Sequence, residues 1–267
     1  MDGYINSKNL DLDQIANSGQ CFRWQPYAGG YQIPIGARTF FIEQVGDDTF
    51  HVQGDVTLGR VIDYFDLMTD YQSIIDRIPE DDVYLKAAAS MFSGVRILRQ
   101  DFDEVVISFL ISQNNSIQRI KHTLSKLVAI NGGAMPTVAD LRNFAEVDFR
   151  AAGAGYRTKY LQLLDASWVG LVHKYSVLDV KRDFVQSELQ LMPGIGPKVM
   201  NCIELYGAHR LDACPIDRWI KRIFQEHYNG EPSWICSPYA GVYQQYVFCY
   251  ERAMAHKLGT ASMVKSA

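Results

Sequence analysis

In Leu191-Met-Pro-Gly-Ile-Gly-Pro-Lys-Val-Met-Asn-Cys-Ile203, read on through Pro215-Ile-Asp217, the turn Pro193-Gly-Ile-Gly196 lies between two amphipathic runs. Phe184, Leu189 and Leu191 carry the first, and Val199, Ile203 and Leu205 the second. Gly194 and Gly196 around one apolar residue let the chain reverse tightly between helices, because glycine accepts the positive φ values that other residues resist. The second helix then begins with free backbone N–H groups beside the turn, a natural seat for a phosphate. This pattern predicts a helix-hairpin-helix. An ordinary αα-corner competes with it, since turns of the P-G-x-G kind are common.

Around the turn, Lys198 falls in the first turn of the second helix, and Cys202, four residues on, projects from the same face. Asp217 follows nineteen positions after Lys198, where a new helix is expected from Asp217 to Gln225. A cation is misplaced at a helix start, because the dipole there disfavours it. The same field, with partial burial, favours the neutral amine that a nucleophile requires. Asp217 could take the amine's proton or stabilise a developing cation. On spacing alone, a solvated lysine and a helix-capping aspartate are the simpler account of the pair.

The chain is long enough, with 267 residues of which 48% are hydrophobic, to bury a sizeable core in one large or two modest domains. It contains no apolar run of membrane-spanning length, and Met1-Asp-Gly-Tyr4 starts no signal-peptide pattern. The expectation is a soluble cytoplasmic monomer, nucleoid-associated if bacterial, with no membrane partner. The net charge of −4 is unevenly spread. Residues 1–82 carry 5 Lys+Arg against 14 Asp+Glu, whereas 83–267 carry 21 against 16. Phosphate attraction is screened over about 8–10 Å, so the basic portion can meet nucleic acid while the acidic one faces away.

Tyr31 to Val56 reads as strands, with turns near Gly36 and at Gly46-Asp-Asp48, and Thr49-Phe-His-Val-Gln53 alternates as a half-exposed strand does. Residues 58–78 shift to helical spacing, and acidic Pro79-Glu-Asp-Asp82 marks a boundary. Helices are expected at 83–92, 103–112, 116–130, 137–144, 148–151, 157–173, 180–191, 198–207, 217–228 and 238–258, with fraying from Gly259. The fold class is α+β: a small N-terminal antiparallel sheet domain (1–82), then a mostly helical body (83–267). Four shorter stretches stand out. Ser18-Gly-Gln-Cys-Phe-Arg-Trp24 reads as a turn before an aromatic strand. Ser112-Gln-Asn-Asn-Ser-Ile-Gln-Arg119 interrupts an apolar helix with a turn or cap, and Gly153-Ala-Gly-Tyr-Arg157 reads as a helix-start loop. Tyr239-Ala-Gly-Val-Tyr-Gln-Gln-Tyr-Val-Phe248 sets Gln244 and Phe248 on one helical face, ordinarily a core edge.

Taken together, these motifs resemble the helix-hairpin-helix DNA glycosylases over nearly the whole chain. Lys198 points to the bifunctional members, and the other motifs to the 8-oxoguanine DNA glycosylase branch. The resemblance implies Lys198 as nucleophile and Asp217 as its catalytic partner. It implies a base pocket of Gly19, Cys202, Gln244 and Phe248. There the Gly19 carbonyl would attract the N7–H of the oxidised base and repel the N7 lone pair of guanine, and glycine allows that approach. The Gln244 amide would read the base edge, and the Phe248 ring would stack opposite Cys202, which is otherwise read as an inert buried thiol. Asn114 would fill the gap left by the extruded base, with Arg119 and Arg157 beside the orphaned partner and Tyr156 as the wedge. Gly194, Gly196 and Arg218 would meet phosphate.

Departures and rivals bound this reading. Eukaryotic members carry a histidine two residues past the catalytic aspartate, where this chain has Trp219, and Arg218 is the substitute on offer. Only Cys236 and Cys249 follow Asp217, so the four-cysteine iron–sulfur cluster of some relatives cannot be built, and no metal site or cofactor is expected. A cation held by the hairpin carbonyls would be accessory. An alkylated-base glycosylase would lack Lys198. A non-catalytic helix-hairpin-helix module would need neither Lys198 nor Asp217. The expected function is removal of 8-oxoguanine from duplex DNA, preferentially opposite cytosine, with associated lyase activity.

Overall fold

The computed structural model describes residues 1–166, 169–170 and 191–257. An antiparallel five-stranded sheet opens the chain, built from β1 (Asp2–Asn6), β2 (Gln25–Tyr27), β3 (Gly30–Ile35), β4 (Arg38–Gln44) and β5 (Thr49–Gly54) in the order β1-β5-β4-β3-β2. Alternation decides its faces: Ile33 and Ile35, Phe40 and Ile42, Phe50 and Val52 all point into one core with Ile5, Trp24 and Phe65. Strands β1 and β2 were not legible in the sequence. One residue of β1 is buried and none of β2 is, so neither carries an apolar alternation to read.

α1 (Leu12–Asn17) precedes the Ser18–Trp24 stretch, and the expected helical region 58–78 divides into α2 (Leu58–Tyr64) and α3 (Tyr71–Ile75). Thr57 and Asp70 cap these helices by accepting the Arg60 and Ser73 N–H groups, and the loop between them turns through Asp66 at φ +51°. The body then runs α4 (Val83–Met91), α5 (Phe102–Ser112), α6 (Ile117–Ile130), α7 (Glu146–Ala152), α8 (Thr158–Gln162), α9 (Pro197–Tyr206), α10 (Arg218–Tyr228) and α11 (Ala240–Lys257). α5 is buried from Val105 to Ile111, so it is the axis of the body, packed between α6 and α9.

Two expected helices differ. In place of a helix at 137–144 there is a single 3₁₀ turn, Asp140–Asn143. Asp140 accepts from the Thr137 N–H and hydroxyl, both at 2.8 Å, and this local pairing competes with helical hydrogen bonding. The helix expected at 157–173 begins as a 3₁₀ turn at Gly155–Arg157 and continues only through α8 before breaking. Beyond α8, residues 163–166 and 169–170 are described, whereas 167–168 and 171–173, and residues 180–190 of the helix expected at 180–191, lie outside the described residues.

Buried polar groups stitch the sheet region to the body. The Arg96 guanidinium donates to the carbonyls of Phe65, Asn9, Asp66 and Thr69 at 2.6–3.1 Å and lies over the Tyr71 ring. The Asp66 carboxylate meets Arg99 Nη2 at 2.9 Å and His209 Nε2 at 3.0 Å. Burial opposes its ionisation, but hydrogen bonding and charge from His209, with help from Arg99, hold this carboxyl below its ordinary value.

Candidate active site

The second half of the hairpin forms as its sequence dictates. Gly194 stands at φ +92°, and a Cβ there would lie 2.6 Å from the Tyr160 ring, so both the turn and the close approach require glycine. The Ile195 N–H closes the turn on the Met192 carbonyl at 3.1 Å. Gly196 is the N-cap of α9 and Pro197 its first residue, where a missing N–H costs nothing. Lys198 follows, half-buried, with Nζ 5.2 Å from the centre of the Phe109 ring on α5. One turn on, burial raises the Cys202 thiol pKa against the lowering effect of Lys198's charge and hydrogen bond, so the thiol is neutral beside the amine.

Asp217 serves two readings together. Its carboxylate caps α10 by accepting the Ile220 N–H at 2.9 Å, and it lines the same cleft as Lys198. That cleft is bounded by Gly19, Lys198, Cys202, Asp217, Gln244 and Phe248, so six residues expected at the centre converge on one space from four segments of chain. Gln244 is buried, and its Oε1 has no hydrogen-bond partner among the described residues. Phe248 lies 3.6 Å from where a Cβ on Gly19 would stand, and the Arg252 guanidinium sits over its ring.

The cleft also takes in Ser18, Phe109, Tyr206, Pro215 and Gln245. Sequence reasoning gave Phe109, Tyr206 and Gln245 no part in the site. One signal was available for Gln245: a polar residue within an otherwise apolar helix needs a buried partner.

A second group lies on the surface. Asn114 is exposed in the turn after α5 at φ +47°, and Arg119 is exposed in the first turn of α6. Tyr156 is 51% exposed, with its hydroxyl donating to the Gln113 carbonyl at 3.1 Å. Arg157, expected beside the orphaned base, has its donors turned to the protein's own backbone. It is 4% exposed, and its guanidinium donates to the carbonyls of Gln113 (2.8 Å from Nε), Asn114 (2.9 Å) and Ala154 (3.3 Å). Arg157 braces the turn that presents Asn114. Arg218 is exposed at the start of α10, and Trp219 packs under Arg222, 4.6 Å from ring centre to guanidinium carbon.

One group of possible metal-ligating side chains among the described residues, Glu226, His227 and Glu251, is on the far end of α10 and on α11. Arg222 already meets Glu251 at 2.8 Å and Glu226 at 3.7 Å, which places a cation's charge there.

Comparison with known proteins agrees with this geometry. The 8-oxoguanine DNA glycosylase N-terminal domain family matches residues 4–106. The chain is 27% identical over 265 residues to the N-glycosylase/DNA lyase of Saccharomyces cerevisiae, covering 84% of this chain and 70% of that one. The Clostridium acetobutylicum 8-oxoguanine glycosylase/lyase, solved with duplex DNA containing cytosine opposite 8-oxoguanine, superposes with TM-score 0.80 at 28% identity, covering 95% of this chain and 98% of that one. MBOgg1, solved with a low-affinity DNA ligand, superposes with TM-score 0.81 at 30% identity over 95% of this chain and 96% of its own. A relative of that identity along almost its full length, on a fold whose cleft gathers the hairpin lysine and the aspartate, places this chain in the 8-oxoguanine DNA glycosylase/lyase family of helix-hairpin-helix enzymes.

Proposed function

We propose that this chain extrudes 8-oxoguanine from duplex DNA, excises it preferentially opposite cytosine and cuts the strand through a lysine Schiff base and β-elimination. As a member of its family it is a DNA glycosylase with lyase activity. The observation that carries the finer reading is the convergence on one cleft of Lys198, Asp217 and the buried Gln244 amide oxygen, which has no partner among the described residues. The target nucleotide must leave the stack, because C1′ is inaccessible within the helix. Asp217 stabilises the positive charge that grows on the sugar as the bond to the base breaks. The Lys198 nitrogen lone pair bonds to C1′ while the base departs with the glycosidic electron pair. Opening of the sugar ring then leaves an iminium. Loss of a C2′ proton expels the 3′ phosphate and cuts the strand on that side.

Gly19, Gln244, Phe248 and Cys202 form the base pocket in this reading. Tyr156 is the wedge, Asn114 the gap filler and Arg119 the exposed donor to the orphaned base. Gly194, Gly196 and Arg218 hold phosphate. Residues 1–82 act as a sheet domain and 83–267 as the glycosylase body. The protein works as a monomer in the cytoplasm, on the nucleoid if bacterial. Among the described residues no helix is long and apolar enough to cross a membrane.

Cytosine offers adjacent N3 and O2 acceptors to a donor-only arginine, whereas adenine sets an N6 donor beside its N1 acceptor. Single-turnover excision from duplexes carrying 8-oxoguanine opposite each of the four bases is expected to be roughly ten- to a hundredfold faster opposite cytosine than adenine. Arg119→Ala should narrow that ratio. A uniform slowing across all four pairs would assign Arg119 to phosphate instead, and no excision from any duplex would refute the function.

A further inference from the structure

Gly19 needs help to hold its carbonyl still. Glycine has the widest backbone freedom of any residue, so a carbonyl belonging to it stays aimed only if the peptide planes on both sides are pinned. Here both are. On one side the Ser18 carbonyl accepts the Gln245 amide Nε2–H at 2.7 Å. On the other, the Gln20 carbonyl accepts from Gln100 Nε2 at 2.9 Å, and the Gln20 side chain is itself fixed, donating to the Arg96 carbonyl and accepting the Leu98 N–H. The Gly19 carbonyl between them takes no hydrogen bond from any described residue, and Gly19, at φ +81°, lines the cleft.

The Gln245 amide has one sensible orientation. The Ser18 carbonyl can only accept, so Nε2 must face it, and that leaves Oε1 for the Tyr206 hydroxyl, 2.8 Å away. Gln245 is 1% exposed and Tyr206 is buried, so neither bond is diluted by water. Tyr206 belongs to α9, two turns beyond Lys198, and Gln245 follows Gln244 on α11. The relay therefore ties the Ser18–Gly19 peptide both to the helix that carries the nucleophile and to the helix that carries the pocket amide.

We propose that Tyr206 and Gln245 are specificity-positioning residues: they fix the Gly19 carbonyl where it meets the N7–H of the oxidised base, and so set discrimination against bases lacking that hydrogen. This rests on the reading of Gly19 given above. Neither side chain takes part in bond making or breaking. Releasing the peptide weakens recognition of the one atom that the carbonyl reads, and leaves contacts to the rest of the base intact.

The test compares the full-length protein with Gln245→Met and Tyr206→Phe on two duplexes, one holding 8-oxoguanine and one 7-deaza-8-oxoguanine, each opposite cytosine. The second base presents C–H in place of N7–H. Dissociation constants for both duplexes are measured for each protein. The wild type should prefer 8-oxoguanine about tenfold or more, the size expected for one buried hydrogen bond. Gln245→Met should cut that preference below about threefold by losing affinity for 8-oxoguanine alone, with 7-deaza affinity within about twofold of wild type. Tyr206→Phe, which keeps the ring and removes only the hydroxyl, should give an intermediate loss, and it decides the matter if Gln245→Met does not fold. Preference retained in the variants, or equal loss on both duplexes, overturns the proposal by assigning the relay to structure alone. A wild type with no preference would instead refute the Gly19 reading itself, and the relay's role with it.

Discussion

At the scale of single residues the site is defined by what its side chains leave undone. Gln244 keeps a buried oxygen without a partner among the described residues, an arrangement that usually costs about 1–3 kcal/mol. A fold tolerates such a group where a ligand will satisfy it. Gln244→Leu, close in volume, is therefore expected to raise unfolding free energy by about 1 kcal/mol in urea titration while weakening lesion binding at least tenfold. A destabilised variant with unaltered binding would show that the amide serves packing. Lys198, Asp217, Gly19 and Gln244 were legible in the sequence because each sits inside a short motif. Arg157 was legible only as a residue. Two of the carbonyls it meets, those of Gln113 and Asn114, lie more than forty positions away, and no local pattern encodes that those donors are spent. The Tyr206–Gln245–Ser18 relay was hidden for the same reason, since its last link joins residues 227 positions apart.

At the scale of elements, helix starts and turn glycines were well read and weak strands were not. α4, α6 and α10 begin within a residue of expectation because Asp82, Ser116 and Asp217 each cap a free N–H. Strand β1 is held by its pairing with β5, a long-range partnership that an exposed sequence does not announce. The hairpin's two glycines look alike in sequence yet differ in structure. Gly194 combines φ +92° with an aromatic ring where a Cβ would go, whereas a Cβ on Gly196 would meet none of the described residues within 4 Å. Gly194→Ala should destabilise the protein by about 3 kcal/mol, combining left-handed strain with overpacking against Tyr160. Gly196→Ala should cost under about 1 kcal/mol, and any loss it causes should fall on DNA affinity. Thermal unfolding of the two variants distinguishes these roles, and equal destabilisation would contradict the difference described.

At the scale of the whole molecule, an acidic sheet region and a more basic helical body share polar seams at Arg96 and Asp66. The Asp66 carboxyl is held below the usual 3.8, so its stabilising contribution is fully present above that pH and is lost as pH falls through the folded value. Asp66→Asn leaves His209 and Arg99 facing a neutral amide and should cost about 3 kcal/mol at pH 7, with the deficit shrinking below pH 3.8. Urea unfolding at pH 7 and pH 3 measures it, and a deficit unchanged between them would contradict the assignment. That seam joins the chain around Gly19, through Gln20 and Arg96, to the segment that follows α9, through Asp66 and His209, so the two sides of the cleft share one buried polar network. The most direct measurement on that cleft is covalent trapping. A duplex with one 8-oxoguanine opposite cytosine is incubated with wild type and with Lys198→Gln under borohydride, and covalent complexes are separated by denaturing electrophoresis. The wild type should yield a protein–DNA adduct, and Lys198→Gln should yield none while still binding the lesion duplex. An undiminished adduct in Lys198→Gln would contradict the account.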